Sequence, residues 1–293
     1  MRNRLDRRQS TRNPAARPSV IQTIFAVLGS WSMSMAANTH GDGFPFVCLS
    51  WFGLDGDAMA AAMEPALSGS IALQRIYPDL PGCGRSPGGP EDSDGIVDAV
   101  LEFLDARIGS GRFLLAGCSY GGYIASAVAR RRPEQVAGLL SICSGVKIRP
   151  ADRDLPDPPH RVDPAGWLSG VPADLRDHFS LALGNRTGEV AERVAAVLAS
   201  SAPGDDDYLG RLRATGYRLS DEDAAWTYPG PTSVIAGRQD RIAGYADQFR
   251  ALASFPNASY SALADAGHYL PLEQPRAFRD LTQEWLARCD IGW

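Results

Sequence analysis

The sequence has few residues of the types that bind metal ions. Only four of its 293 residues are histidine, and no HExxH pair or cluster of ligand-type residues occurs, whereas metallohydrolases place their ligands at short, recognisable spacings. We therefore expect no metal and no other cofactor. The cysteines match neither a zinc-site spacing nor a disulfide framework, and their odd number leaves at least one unpaired. We interpret them as reduced thiols of a cytoplasmic protein: Cys48, Cys83, Cys118, Cys143 and Cys289.

An excess of positive charge and a long apolar run are also absent. The net charge is −5, so electrostatic attraction to nucleic acid or to an anionic membrane surface is not expected. No stretch approaches the roughly 18 apolar residues that a membrane span needs. We predict a small-molecule substrate as the partner of this chain. The sequence does not indicate an oligomeric state.

The amino-terminal segment differs in composition from the rest. Residues 1–18 contain six arginines and almost no apolar side chain, which predicts a disordered basic tail of unassigned role. A basic start followed by the apolar Ile21–Leu28 is also the pattern of a secretion signal, although Gln22 and Thr23 interrupt it. Cytoplasmic localisation is our prediction, with secretion as the alternative.

Apolar strand patterns alternate with helix patterns along the remaining chain. The strands are apolar on both faces, which predicts an α/β fold with a mostly parallel central sheet flanked by helices. Strands are predicted at 24–28, 31–36, 46–49, 71–77, 112–116, 136–142, 232–236 and 259–263, with a turn at 40–45. Helices are predicted at 57–67, 94–108, 122–131, 245–253 and 275–289.

A change of composition at Arg149 interrupts the alternation. A segment rich in proline and charge extends to Pro164, and helical patterns follow at 172–183, at 188–200 with Thr187 as N-cap, and from about Asp205. We predict that residues 19–148 and 227–293 form the α/β core and that residues 149–226 form a helical cap.

The most informative motif is Gly117-Cys-Ser119-Tyr-Gly121-Gly122, which directly follows the apolar run Phe113–Ala116. A serine hydroxyl is a weak nucleophile and must be presented to a base and to a bound carbonyl. A tight strand-to-helix turn presents it, and such a turn needs small residues two before and two after the serine. The pattern predicts Ser119 as a nucleophile, the alternative being a glycine-rich turn without chemistry.

A base should follow the nucleophile in the chain, on the loop after another strand. His268 follows the last predicted strand, while His40, His160 and His178 fall in a turn, the proline-rich segment and a predicted cap helix. We predict His268 as the general base.

The acid that orients this base should lie at a neighbouring strand end. Asp240 directly follows the predicted strand 232–236, and we predict it for this role, although it could instead be a solvated carboxylate paired with a nearby arginine. Two other aspartates compete for this role. Asp247 falls inside a predicted helix, and Asp265 is so close to His268 in the chain that it would crowd the loop.

Four segments together resemble the signature segments of the α/β-hydrolase superfamily, in the same order. The resemblance extends over about residues 20–290 and implies the fold, the Ser–His–Asp triad and a cap between the sixth and seventh strands, but not the substrate. The segments are Asp79-Leu-Pro-Gly-Cys-Gly-Arg-Ser-Pro87, Gly117-Cys-Ser119-Tyr-Gly-Gly122, Gly237-Arg-Gln-Asp240 and Gly267-His268-Tyr-Leu-Pro-Leu-Glu-Gln-Pro275.

The resemblance also implies an oxyanion hole formed by the backbone N–H groups of Phe52 and Tyr120. Ser50-Trp51 stands here in place of the family's usual His-Gly. Backbone donors survive a change of side chain, but the large Trp51 puts the geometry of this loop in question. Trp51 either contributes to an apolar substrate pocket or simply packs under the loop.

The resemblance implies hydrolysis of an ester-like bond (ester, lactone, thioester or amide) of a small apolar molecule through an acyl-Ser119 intermediate. Members that open epoxides or displace halide use aspartate where this chain has Ser119, so those activities are not expected. Two alternatives stay open. One is a carbon–carbon bond hydrolase or lyase that uses the same triad, and the other is a ligand-binding protein without turnover.

Overall fold

A computed structural model of the protein describes residues 35–69, 72–158 and 163–291. The predicted basic tail and the strand predicted at 24–28 lie outside these residues. The strand predicted at 31–36 lies mostly outside them too, and its described part, Met35-Ala36, is not in a strand.

Seven strands form one sheet in the order β1-β3-β2-β4-β5-β6-β7. β1 pairs antiparallel with β3, and all the other neighbours pair in parallel. The predicted fold class, a mostly parallel sheet in an α/β fold, is therefore confirmed. The strands are β1 Ala37–His40, β2 Phe44–Leu49, β3 Leu73–Pro78, β4 Phe113–Cys118, β5 Val136–Ile142, β6 Thr232–Gly237 and β7 Ala258–Leu263.

The central strands β4 and β5 carry apolar side chains on both faces of the sheet, so helices cover both faces. As a result, every residue of these two strands is buried. One apolar cluster joins the sheet to α1 and α9, and a second joins it to α2 and α3. The helices are α1 Gly56–Leu67, α2 Ser93–Arg107, α3 Tyr120–Arg131, α4 Arg176–Ala182, α5 Gly188–Ser200, α6 Asp206–Arg211, α7 Ala246–Arg250, α8 Leu270–Glu273 and α9 Pro275–Arg288.

The antiparallel edge strand β1 corrects one prediction. His40 was expected to open a turn, but it is the last residue of β1, and the turn is limited to the three residues before Phe44. The four residues of β1 are all half-buried and include three polar side chains. An edge strand has only one partner and little buried surface, so its residues do not form the apolar pattern from which strands are predicted.

The segment between β5 and β6 contains α4, α5 and α6, joined by irregular stretches. Thr187 is the N-cap of α5, and its hydroxyl accepts a hydrogen bond from the N–H of Val190. A π-helical turn, Leu212–Gly216, follows α6. The function of residues 149–226 as a cap stays a prediction. Among the described residues, no helix combines the length and apolarity needed to cross a bilayer.

Candidate active site

Ser119 occupies a strained turn between β4 and α3. Its φ angle is +55°, a region that L-residues rarely adopt and that is often found at functional positions. The glycines on either side are required by close backbone contacts. A Cβ on Gly117 would lie 2.3 Å from the carbonyl oxygen of Gly121, and one on Gly121 would lie 2.3 Å from that of Ser50. The motif therefore forms the sharp strand-to-helix turn that its sequence predicts.

The structure brings Ser119, His268 and Asp240 together at the carboxyl ends of β4, β7 and β6. Nε2 of His268 lies 2.9 Å from Oγ of Ser119, and Nδ1 of His268 lies 2.9 Å from Oδ2 of Asp240. Asp240 is fully buried, and its Oδ1 accepts hydrogen bonds from the N–H groups of Ile242 and Ala243. These backbone donors hold the carboxylate in one orientation toward the imidazole.

This hydrogen-bond chain favours one tautomer of His268. A carboxylate only accepts hydrogen bonds, so Nδ1 must donate to Asp240, and Nε2 of the neutral ring is left to accept from the Ser119 hydroxyl. The arrangement can move a proton from Ser119 to His268 while Asp240 stabilises the resulting positive charge.

The residues that competed for these roles lie elsewhere. Asp247 accepts a hydrogen bond from the N–H of Asp154, and Asp265 is exposed on the loop before His268. His40 lies on β1, and His160 lies outside the described residues.

His178 was expected only on a cap helix, but it lines the same cavity as Ser119. Its Nε2 lies 3.0 Å from the hydroxyl of Tyr269. Burial lowers the pKa of His178, and the nearby His268 and Arg213 act in the same direction.

Trp51 packs against the loop that carries His268. The indole is 3% exposed, its Nε1–H donates to the carbonyl oxygen of His268 at 3.4 Å, and its ring centroid lies 5.6 Å from that of Tyr269. Trp51 also borders the cavity that contains Ser119. The two interpretations offered for this residue, packing under the loop and bordering the pocket, are therefore compatible.

Phe52 and Tyr120, the predicted oxyanion-hole residues, lie close to each other beside the serine. Tyr120 follows Ser119 in the chain, and its ring centroid is 5.3 Å from that of Phe52. Phe52 follows Trp51 in a turn and lines the cavity, and no hydrogen-bond acceptor for its N–H occurs in the described part of the chain. Tyr120 is the first residue of α3, and N–H groups in the first turn of a helix have no acceptor within it. Their function as donors to a substrate oxygen stays a prediction.

Glu273 is a buried residue of the site that sequence reasoning missed. Its carboxylate accepts hydrogen bonds from the N–H groups of Gly267 and Tyr269, on either side of His268, and from those of Gly184 and Asn185, just after α4. Burial raises the pKa of Glu273 to about 7, against the effect of these N–H donors. Glu273 lies five residues after His268 in the quoted segment, but nothing in that segment showed which backbone groups it would contact.

The cavity beside Ser119 has a volume of about 250 Å³. Its lining includes side chains from both the predicted core and the predicted cap. The cap residues among them were also missed, because they lie in the proline-rich segment and in short helical turns. They are Pro150, Arg153, His178, Arg213 and Tyr217.

The described residues contain no group of three or more His, Cys, Asp or Glu arranged to hold a metal ion.

Comparisons with known proteins place these features in a family. The sequence model of the alpha/beta hydrolase family matches residues 39–281. The 2-hydroxymuconate semialdehyde hydrolase of Pseudomonas putida is 28% identical over 271 residues, covering 86% of this chain and 91% of that protein.

The pimeloyl-[acyl-carrier protein] methyl ester esterase of Shewanella woodyi is 30% identical over 178 residues, or 60% of this chain and 61% of that enzyme. Among solved structures, an alpha/beta superfamily hydrolase from Oenococcus oeni PSU-1 superposes with a TM-score of 0.75 at 25% identity, covering 88% of this chain and 97% of that one. The chain is a hydrolase that belongs to the alpha/beta hydrolase family.

Proposed function

We propose that the chain is a serine hydrolase that cleaves an ester-like bond of a small molecule through an acyl-enzyme intermediate. The observation that carries the proposal is the continuous hydrogen-bond chain from Ser119 through His268 to Asp240, with 2.9 Å at each step. In this scheme His268 takes the proton of Ser119 as the hydroxyl attacks the substrate carbonyl.

The tetrahedral intermediate would develop negative charge on the former carbonyl oxygen. The N–H groups of Phe52 and Tyr120 are our candidates to accept this charge, since preorganised donors of this kind lower the barrier by about 3–4 kcal/mol each. His268 then gives its proton to the leaving group, and a water molecule activated by the same imidazole hydrolyses the acyl-Ser119 bond.

The names of the relatives support a hydrolase and leave two bond types to consider. The Shewanella woodyi relative is named as a methyl ester esterase, which agrees with ester hydrolysis. The Pseudomonas putida relative, aligned over nearly its whole length, is named for a semialdehyde rather than an ester. We therefore keep carbon–carbon bond hydrolysis beside a carbonyl as the second candidate, with the same triad acting mainly in proton transfer.

A panel of p-nitrophenyl esters of increasing acyl length tests the proposal. We expect turnover by the wild type and its loss in Ser119→Ala. Ser200→Ala is the matched control, because Ser200 is exposed at the end of α5 and does not line the cavity.

Unchanged turnover in Ser119→Ala would overturn the nucleophile assignment. If the protein binds one of the esters or 2-hydroxymuconate semialdehyde tightly but forms no product from any of them, the non-catalytic alternative would be favoured instead. Cleavage of the semialdehyde without ester turnover would favour the second candidate.

A cytoplasmic location is also proposed. It is supported by the cysteines, all five of which are buried and free in the structure, as is usual for proteins kept in a reducing compartment. Fractionation of cells that express the full chain tests it, and recovery from the periplasm or medium would contradict it.

A further inference from the structure

Two arginines from the predicted cap line the cavity that contains Ser119. Arg153 is half-buried and Arg213 is exposed on the π-helical turn. Among the described residues that line this cavity there is no aspartate or glutamate. The carboxylates that bond to lining residues from behind already have partners of their own. Asp240 bonds to His268 and to two backbone N–H groups, Glu273 to four backbone N–H groups, and Glu222 to Arg218, Tyr123 and the N–H of Ile148. The cavity thus has two cations and no anion of its own to pair with them.

Arg153 is held rigidly by neutral groups. Its Nε donates to the carbonyl oxygen of Lys147 at 3.0 Å, its Nη1 to that of Ile242 at 2.7 Å, and its Nη2 to that of Ile148. These bonds use three of the five N–H groups of a guanidinium. None of the three acceptors is charged, and no acidic side chain within the described ranges forms an ion pair with Arg153. A fixed guanidinium whose charge faces the cavity is well suited to bind a carboxylate.

Arg213 lies over an aromatic surface. Its Cζ is 4.3 Å from the ring centroid of Phe52 and 5.9 Å from that of Tyr217. No acidic partner within ion-pair distance is found for Arg213 in the part of the chain that the structure describes. Cation–π contacts position the guanidinium but do not neutralise it.

The two cations converge on Tyr217. Burial raises the pKa of Tyr217, while the guanidinium groups of Arg213 and Arg153 oppose that effect, so both groups lie near one hydroxyl. Two like charges beside one phenol repel each other, and no acidic side chain among the described lining residues offsets that repulsion; a bound anion would. The Tyr217 hydroxyl can donate a further hydrogen bond to such an anion.

We propose that the substrate carries a carboxylate group, which binds between Arg153, Arg213 and Tyr217 while its scissile carbonyl lies at Ser119. This inference rests on the proposed function and narrows its substrate class from small molecules in general to small molecules that carry a carboxylate. The aromatic rings of Trp51 and Phe52 border the rest of the cavity and suit an apolar portion between the carboxylate and the reacting carbonyl.

Two pairs of chromogenic esters test the proposal, one for each side of the scissile bond. Mono-p-nitrophenyl adipate is compared with its neutral methyl ester, and 3-carboxy-4-nitrophenyl butyrate is compared with p-nitrophenyl butyrate. We define the charge preference as kcat/KM for the anionic ester divided by kcat/KM for the neutral one. The two esters of a pair differ in intrinsic reactivity, but that difference is the same for every protein. It therefore cancels when the charge preference of a variant is divided by that of the wild type.

Arg213→Gln is the main variant, since the Arg213 side chain is exposed and lies over the rings of Phe52 and Tyr217. We expect it to lower the charge preference of at least one pair by about tenfold, the low end of the range for a hydrogen bond to a charged group. Arg213→Lys should restore part of the preference. Arg211→Gln is the matched control, because Arg211 is exposed, pairs with Glu91 at 3.5 Å and does not line the cavity.

A binding measurement separates this proposal from the proposed function. The Ser119→Ala protein should unfold at a higher temperature in sodium adipate than in sodium chloride of equal ionic strength, and adding Arg213→Gln should remove most of that difference. A charge preference within twofold of wild type for both ester pairs in Arg213→Gln, together with no adipate effect, would overturn the carboxylate site even if Ser119→Ala abolishes turnover. Turnover that survives in Ser119→Ala would instead overturn the nucleophile, while the adipate result would still decide the anion site.

Discussion

Replacing Asp240 by asparagine would keep the shape of the side chain and reverse one hydrogen bond. Oδ1 accepts from the N–H groups of Ile242 and Ala243 at 2.8 and 2.9 Å, so the amide oxygen of the new residue should take this position. The opposite orientation would set an NH₂ group against two N–H donors, and each unsatisfied donor costs about 1–3 kcal/mol. The amide NH₂ must therefore face Nδ1 of His268.

An NH₂ group at that position selects the wrong tautomer of the imidazole. Nδ1 then has to accept, so the ring proton moves to Nε2, the atom that lies 2.9 Å from Oγ of Ser119. A protonated Nε2 cannot take the proton of Ser119. We expect kcat to fall by about 10⁴-fold, as found for this change in other Ser–His–Asp enzymes, with little change in KM because the cavity lining is intact.

The assay is steady-state hydrolysis of p-nitrophenyl butyrate, with urea denaturation to verify that the variant is folded. Asp265→Asn is the control, since Asp265 is an exposed carboxylate on the loop before His268, and it should leave kcat nearly unchanged. A folded Asp240→Asn protein that keeps kcat within tenfold of wild type would refute the tautomer argument, as would an equal loss in Asp265→Asn.

Three further predictions concern the framework around the site. Gly121→Ala should lower the free energy of unfolding, measured in urea, by about 1–3 kcal/mol or more, because its Cβ would lie 2.3 Å from the Ser50 carbonyl oxygen. Gly210→Ala is the control, since nothing lies within 4 Å of the added Cβ. Equal effects of the two substitutions would contradict the packing argument. Thr187→Ala should cost about 1 kcal/mol through loss of the α5 N-cap, and an unchanged urea midpoint would count against that contact. Burial raises the pKa of Glu273 from 4.5 to about 7, so between pH 4.5 and pH 7 the folded protein binds more protons at this residue than the unfolded chain does. As the pH rises through this range, the free energy of unfolding of the wild type should therefore fall relative to that of Glu273→Gln, by about 1 kcal/mol per pH unit at most. A pH-independent difference between the two proteins would contradict this sign.

The parts of the fold that sequence could predict are those with strong periodic burial. β4 and β5 are apolar at nearly every position and completely buried, and helices such as α5 combine a capping residue with an apolar face. Their predicted bounds therefore lie close to the observed ones. The half-buried β1 has no such pattern, because its position depends on pairing with β3, which is distant in the chain.

The same distinction applies to the site. Ser119, His268 and Asp240 could be singled out because each follows a predicted strand, and parallel strands bring their carboxyl ends to one edge of the sheet. Arg153 and Arg213 come from a proline-rich stretch and a π-helical turn, where no periodicity indicates which way a side chain points. Their convergence on the cavity is a tertiary property that only the structure reveals.

Covalent labelling tests the central claim most directly. After incubation with a fluorophosphonate, the intact protein should gain the mass of one adduct, peptide mapping should locate it on Ser119, and Ser119→Ala should remain unmodified under the same conditions. An adduct that forms equally fast on Ser119→Ala, or a hydrolytically active wild-type protein that gains no adduct at Ser119, would contradict the account.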